Sequence, residues 1–330
     1  MLQALAEPYE LEGNRVAAGS SIGIALVPRD GTRFDQLLRC ADTALYRAKA
    51  DVRGLHRFFE PDMDARLLAR RAMEPGLRNA LAADELELAY QPLVDLRTGR
   101  ACGFEALLRW HRPDEGVVSP AEFIPLAEET GPIVPIGAWT LRRACFYASA
   151  WPECVRAAVN VSPVQFRNSG LVEAAAEALS GSGLTASRLE LEITESAMLH
   201  DGAATVGMLR ELHDLGVRIA MDDFGTGYSS LGYPRSFPFD KIKINQLFIR
   251  DLPKSGGAGA IVRAIAGLGA SLGMRTTAEG VETEAQLSRL RAEGCTEAQG
   301  YLFGRPGPAA AIPAVVARIS ATQTAMLDAV

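Results

Sequence analysis

The sequence predicts an α/β protein: a modified (β/α)8 barrel with one antiparallel strand, preceded by a small α+β unit. Three observations carry this. From residue 87 onward, strand-like and helix-like runs alternate over roughly 230 residues, the order and length of a barrel. The first two strand-like runs, LELAYQPLVDL and ACGFEALLRW, flank RTGR, a glycine turn that makes them a hairpin, so the entry strand opposes its neighbour. Polar residues also recur at the carboxyl ends of the strands, which in a barrel converge on one mouth. An open doubly wound sheet is the alternative, but no GxGxxG follows an early strand.

Taken in order, residues 1–60 form the small unit. SSIGIALVP (20–28) is strand-like, RDGT is a turn, and FDQLLRCADTALYRAKA (34–50) is an amphipathic helix with Leu37, Leu38, Ala41, Leu45 and Ala48 on one face. Residues 61–86 read as a charged helical linker that Pro75–Gly76 should kink or divide. Residues 87–320 hold the barrel. After the hairpin, its strands are AAVNVS, LELEITE, RIAMDDFG, KIKI, RTTAEGV and AQGYLF. Helices are expected near 133–151, 165–180, 203–215, 258–273, 283–293 and 309–319.

Composition sets the outer bounds. The chain has 330 residues, 48% hydrophobic and 22% charged, as in ordinary globular proteins. A net charge of −6 argues against a broad grip on duplex DNA or RNA, but leaves room for a small phosphate-bearing ligand. The five cysteines are odd in number and scattered, which fits reduced thiols in a cytoplasmic protein. With four histidines and none at ligand spacing from a cysteine, zinc is not expected. There is no signal peptide, and no apolar run approaches the roughly 20 residues of a membrane span, so no membrane contact is expected from this chain.

The strand-end polar set is Glu105, Asn160, Glu192 with Glu195, Asp222 with Asp223, Lys243, Glu279 with Glu282, and Gln299. Any one of them alone is more simply a helix cap or a surface ion pair; recurrence on six strands is not. Two carboxylates about 4 Å apart repel by roughly 4 kcal/mol at an effective dielectric of about 20. Converging acids therefore need protons or cations, and oxygen ligands without Cys or His select Mg²⁺ or Mn²⁺. Asp222 and Asp223 read as ligands of a two-metal site, the kind that performs in-line displacement at phosphorus. Lys243 can orient or help deprotonate a water, or be an ion pair with one of the acids. GTGYSS (225–230) fits a mobile loop over the site. Arg109, beyond Glu105 on the same strand, fits either a phosphate clamp or a surface salt bridge. Gln91 and Gln299 fit a base or ribose contact, or buried amides satisfying backbone. His111, His200 and His213 look like loop or helix-surface residues and receive no role.

These residues also carry a family resemblance. FEALLRW (104–110) resembles the signature of EAL-domain cyclic-di-GMP phosphodiesterases, and YQP, NVS, LEITES, DDFGTGYSSL, KI, AEGVE and QGYLFGRP follow in the family's order across about residues 75–320. The resemblance implies a modified TIM-type barrel that hydrolyses cyclic-di-GMP to linear 5'-pGpG with two Mg²⁺ or Mn²⁺. It implies Glu105, Asn160, Glu192 and Asp222 as ligands of one ion, and Asp222, Asp223 and Glu279 as ligands of the other. Lys243 then contacts the nucleophilic water, and Glu195 steadies the DDFGTG loop. Glu282 supports the site from behind, and Gln91, Arg109 and Gln299 touch substrate. A homodimer is implied as well. One departure stands out: where the family usually reads KIDxSF, this chain reads KINQLF, with Asn245 and Leu247 at the Asp and Ser, implying altered tuning around Lys243. SSIGIALVPRDG and ADTALYRAKA are similar to the end of a GGDEF domain. The GGDEF loop and its nucleotide half are missing, so no cyclase activity is implied.

Two rivals remain at this level. A cyclic-di-GMP receptor without turnover would keep the pocket, although such proteins usually lose metal ligands and none is missing here. An enolase-type barrel also uses strand-end carboxylates with a lysine and Mg²⁺, but it leaves the paired aspartates and Gln91 without a task.

Overall fold

The computed structural model describes residues 2, 9–11, 14–16, 19–51, 54–113, 115–168, 170–195, 197, 202–225, 237, 239–252 and 256–327. It divides into two compact units, Met1–Arg78 and Asn79–Val330.

In the first unit, strands β1 (Tyr9–Leu11) and β2 (Asn14–Val16) pair antiparallel. Strand β3 (Ile22–Ile24) pairs parallel with β4 (His56–Phe58), with helix α1 (Phe34–Asp51) as the crossover. The helix buries Cys40, Ala44 and Ala48 at i, i+4 and i+8, while Leu38 is 50% exposed, so the packed face is turned from the one the leucines suggest. Gly23 explains the turn: a Cβ there would lie 2.0 Å from the Ala41 carbonyl oxygen, so the strand approaches the helix backbone where small residues face it. Helix α2 (Pro61–Asn79) runs through Pro75 without the division expected of Pro75–Gly76.

The second unit is the expected barrel. Its sheet has ten strands in the order β14-β5-β13-β12-β11-β10-β9-β8-β6-β7, and a β5–β6 pairing closes it. The wall consists of β5 (Leu86–Asp95), β6 (Ala101–Arg112), β8 (Arg156–Val161), β9 (Leu189–Thr194), β10 (Arg218–Phe224), β11 (Lys241–Ile244), β12 (Arg275–Ala278) and β13 (Glu297–Gln299). Strand β7 (Gly116–Val118) extends β6, and β14 (Gly307–Pro308) pairs with β5. Strand β5 is antiparallel to both β6 and β13, and the other wall pairings are parallel.

Around the wall lie α3 (Pro120–Thr130), α4 (Ile133–Ser149), α5 (Pro163–Arg167), α6 (Leu171–Ser182), α7 (Gly202–Asp214), α8 (Gln246–Arg250), α9 (Gly256–Ser271), α10 (Glu284–Ala292) and α11 (Ile312–Leu327). Successive strand residues face opposite sides. In LELEIT, Leu189, Leu191 and Ile193 are fully buried in the apolar layer shared with the helices, and the alternate Glu190 and Glu192 point into the barrel. KIKI does the same, with Ile242 and Ile244 outward and Lys241 and Lys243 inward.

Among the described residues no disulfide is formed, and no helix is long and apolar enough to cross a membrane. Cys40, Cys145 and Cys295 are buried, and Cys154 is exposed.

Candidate metal centre

Strand alternation stacks the inward side chains in two levels. At the mouth, Lys243 is 1% exposed and sits among acids from three strands and the loop after β12. Its Nζ lies 2.7 Å from Glu192 Oε2 and from Glu279 Oε1, 3.5 Å from Asp222 Oδ2 and 3.8 Å from Glu105 Oε2. The ion-pair reading of Lys243 is thus realised with several acids rather than one. Asn160 Nδ2 donates to Glu105 Oε1 at 2.6 Å, and Gln299 Nε2 donates to Glu105 Oε2 and to Gln91 Oε1. Gln91 in turn donates to the Gly304 carbonyl at 3.3 Å. These amides hold Glu105 in place from two sides.

Two adjacent aspartates on a regular strand would face opposite ways. A β-bulge prevents this. Met221 pairs with Ile242 and Phe224 with Ile244, so Asp222 and Asp223 together stand opposite the single residue Lys243. Asp223 has φ 56°, in the left-handed region that Asp tolerates better than most residues. Its N–H donates to Asp222 Oδ1 at 2.8 Å. Ligand oxygens of Asp222, Asp223 and Glu279 consequently lie within 4.8 Å of one another. Asn245, one of the two departures from the family pattern, donates from Nδ2 to Asp223 Oδ1 at 2.5 Å and caps α8. Leu247, the other, is 62% exposed.

Among the described residues the charges at this level do not balance. Burial raises the pKa of Glu192 well above the ordinary value; Lys243 pulls it down, and Glu105 and Asp222 push it further up. Asp222 is raised by burial and its acidic neighbours against the pull of Lys243. Burial, opposed by Lys243, lifts Glu279 to about 7. Glu105 goes the other way: burial disfavours its charge, but Lys243 and the Gln299 and Asn160 hydrogen bonds win and lower its pKa. Lys243 is held well above the usual lysine value because Asp222, Glu105, Glu192 and Glu279 overcome the cost of burying it. Among the described residues, Glu192 Oε1 is buried without a hydrogen-bond partner. An orphaned carboxylate oxygen among excess acids fits divalent cations, and an all-oxygen donor set suits Mg²⁺ or Mn²⁺.

A cavity of about 250 Å³ opens above this cluster, lined by Gln91, Glu105, Gln246, Glu279, Glu282, Gln299 and Tyr301. The loop carrying Glu279 and Glu282 is pinned by close backbone contact: a Cβ on Gly300 would lie 2.3 Å from Val281 N, and Val281 N–H donates to Gln299 O. Glu282 is exposed and donates its N–H to Gln286 Oε1, part of the α10 capping box. Glu195 is buried immediately after β9. Most of the loop it was expected to steady, GTGYSS beyond Gly225, lies outside the described residues, as does His200. Arg109 is not brought to the acids. It donates to its neighbour's carbonyl, Leu108 O, at 2.8 Å and lines a separate, more apolar cleft of about 260 Å³ that Asn160 also borders.

The second level lies one strand step deeper and was not anticipated. Lys241 Nζ contacts Glu190 Oε1 at 2.5 Å and Glu297 Oε2 at 2.7 Å, and Arg156 Nη2 contacts Glu297 Oε1 at 2.6 Å. Three of its members lie two residues before a mouth residue (Glu190 and Glu192, Lys241 and Lys243, Glu297 and Gln299), and Arg156 lies four before Asn160. That period-two spacing was the available signal.

Comparison with known proteins places this geometry. The EAL domain family matches residues 76–306, and the family described as Diguanylate cyclase, GGDEF domain matches residues 1–54. The bifunctional diguanylate cyclase/cyclic di-GMP phosphodiesterase MucR of Pseudomonas aeruginosa is 43% identical over 321 residues, 96% of this chain and 47% of MucR. Cyclic di-GMP phosphodiesterase NbdA of the same species is 41% identical over 316 residues, 94% of this chain and 40% of NbdA. The chain therefore spans less than half the length of these curated relatives. The solved structure of the MucR phosphodiesterase in complex with c-di-GMP superposes with a TM-score of 0.70 at 44% identity, covering 73% of this chain and 99% of that one.

Proposed function

The chain belongs to the EAL-domain family, and on that premise we propose that it hydrolyses cyclic-di-GMP to linear 5'-pGpG. The observation that carries the proposal is the bulge that turns Asp222 and Asp223 toward Glu279, with their ligand oxygens within 4.8 Å of one another. Glu105, Asn160, Glu192 and Asp222 would hold one divalent cation, and Asp222, Asp223 and Glu279 the second. Bound there, Mg²⁺ or Mn²⁺ lowers the pKa of a water and stabilises the leaving oxygen of an in-line displacement. Lys243, fixed among four acids, positions that water and remains an ammonium at neutral pH. Gln91 and Gln299 border the cavity where the substrate's polar edges would lie, and Glu282 supports its rim. Arg109 meets substrate only if the ligand extends across Asn160 into the neighbouring cleft. Residues 1–60 are then a GGDEF remnant and 61–86 its linker to the barrel.

The test is incubation of the purified chain with cyclic-di-GMP and Mn²⁺ or Mg²⁺, with an EDTA control and chromatographic separation of products. Linear pGpG that forms only with metal is expected. Tight binding without product would replace the enzyme with a receptor, and neither binding nor turnover would overturn both.

A further inference from the structure

Asn245 stands where a carboxylate is usual in the family, and its surroundings explain what an amide does there. Its Oδ1 accepts from the Leu247 backbone N–H at 2.9 Å. A backbone N–H can only donate, so the amide orientation is fixed and Nδ2 must face Asp223, where it donates to Oδ1 at 2.5 Å. One side chain thus ties the start of α8 to a residue held at φ 56° in the bulge. Asp223 is also the member of the Asp222–Asp223–Glu279 group that a regular strand would turn away.

We infer that Asn245 is a positioning residue that aims the Asp223 carboxylate into the mouth and sets how tightly this group holds a divalent cation. The inference rests on the two-metal reading above. The amide contributes direction without charge. Cation affinity in oxygen-ligand sites follows ligand charge count and rigidity, so the two contributions can be separated by substitution. Asn245→Asp keeps the helix-capping acceptor, removes the donor and adds a fourth carboxylate beside Asp222, Asp223 and Glu279. Asn245→Ser keeps a capping oxygen and removes the donor without adding charge.

The experiment is calorimetric titration of the full chain and both variants with Mn²⁺ alone, with no nucleotide, alongside melting curves in EDTA. Asn245→Ser should weaken Mn²⁺ binding about tenfold through lost rigidity, and Asn245→Asp should tighten it about tenfold through added charge. Opposite signs are the signature, because a merely structural cap would move both variants together. The inference is overturned if both variants bind Mn²⁺ within twofold of the parent, or if both weaken in step with a loss of melting temperature. A parent chain that binds no Mn²⁺ overturns this inference and the two-metal reading together. If the variants keep the predicted order while cyclic-di-GMP is not cleaved, only the activity is refuted.

Discussion

The barrel interior holds two largely buried charge clusters, two residues apart along β9 and β11. In the deeper one, Glu190 and Glu297 face Lys241, Arg156 and the partly exposed Arg275. There burial opposes the charge of Glu297, but Lys241 and Arg156 overcome it and hold its pKa below the ordinary value. At the mouth, Lys243 is the one cation among the described residues that faces Glu105, Glu192, Asp222 and Glu279, with Asp223 adjoining. Burial is common to both levels, so it is not what marks a site. Charge balance is. The deep level satisfies itself with its own side chains, while at the mouth the described side chains leave the acids in excess.

The largest expected effect separates the two levels by function. Asp223→Asn should cut metal-dependent hydrolysis of cyclic-di-GMP at least about 100-fold while leaving the melting temperature in EDTA unchanged or raised. Product chromatography beside thermal melts checks this, and full activity in the variant would remove the mouth from the chemistry. Next, Glu297→Gln should do the reverse. It leaves Lys241 and Arg156 to share Glu190 and should cost about 3–5 kcal/mol in urea unfolding, with Mn²⁺ affinity unchanged. Equal losses of metal binding in both variants would mean that the two levels are one unit.

A third test uses pH. In the metal-free chain Glu279 is raised from 4.5 to about 7, so the folded form holds this proton more tightly than the unfolded form does. This group's contribution to stability should therefore be complete below pH 4.5 and decline as pH rises from there through 7, by roughly 3 kcal/mol. Glu279→Gln should flatten the decline, and Mn²⁺ should abolish it. Glu297 has the opposite sign: its contribution is complete above its ordinary value of 4.5 and is lost as pH falls below it. Unfolding curves at several pH values, with and without EDTA, resolve the two slopes. The smallest effect is expected from Arg275→Ala. Its side chain is 43% exposed and Glu297 keeps Lys241 and Arg156, so the loss should stay below about 1 kcal/mol.

Sequence periodicity made the barrel legible because Leu, Ile and Val recur at alternate positions in LELEIT, RAAVNV and KIKI, whatever stands between them. The same alternation normally means one face in water, which is why the deep level passed unnoticed: Lys241 and Glu297 are 1% and 0% exposed. Helix α3 was missed because Pro125 inside PAEFIPLAEET argues against a helix, although Pro120 at its first turn is a start signal. The segment expected as one helix over 165–180 is two, α5 and α6, separated at Gly170. AQGYLF is strand only up to Gln299, because its backbone then turns against Val281. The acids of the site were legible as residue types at strand ends. Their convergence depends on a bulge and a left-handed aspartate, which no pattern of residue types encodes.

That bulge also measures how far the mouth is from being inert. Asp222 and Asp223 share one inward slot opposite Lys243, and the ladder resumes in phase at Phe224 and Ile244. Deleting a single residue, Asp223, would restore a regular strand in which Asp222 alone stands opposite Lys243, with Glu105, Glu192 and Glu279 still around that lysine. One codon's worth of extra length in β10 thus decides whether Asp222 meets Glu279 alone or with a second carboxylate at its side.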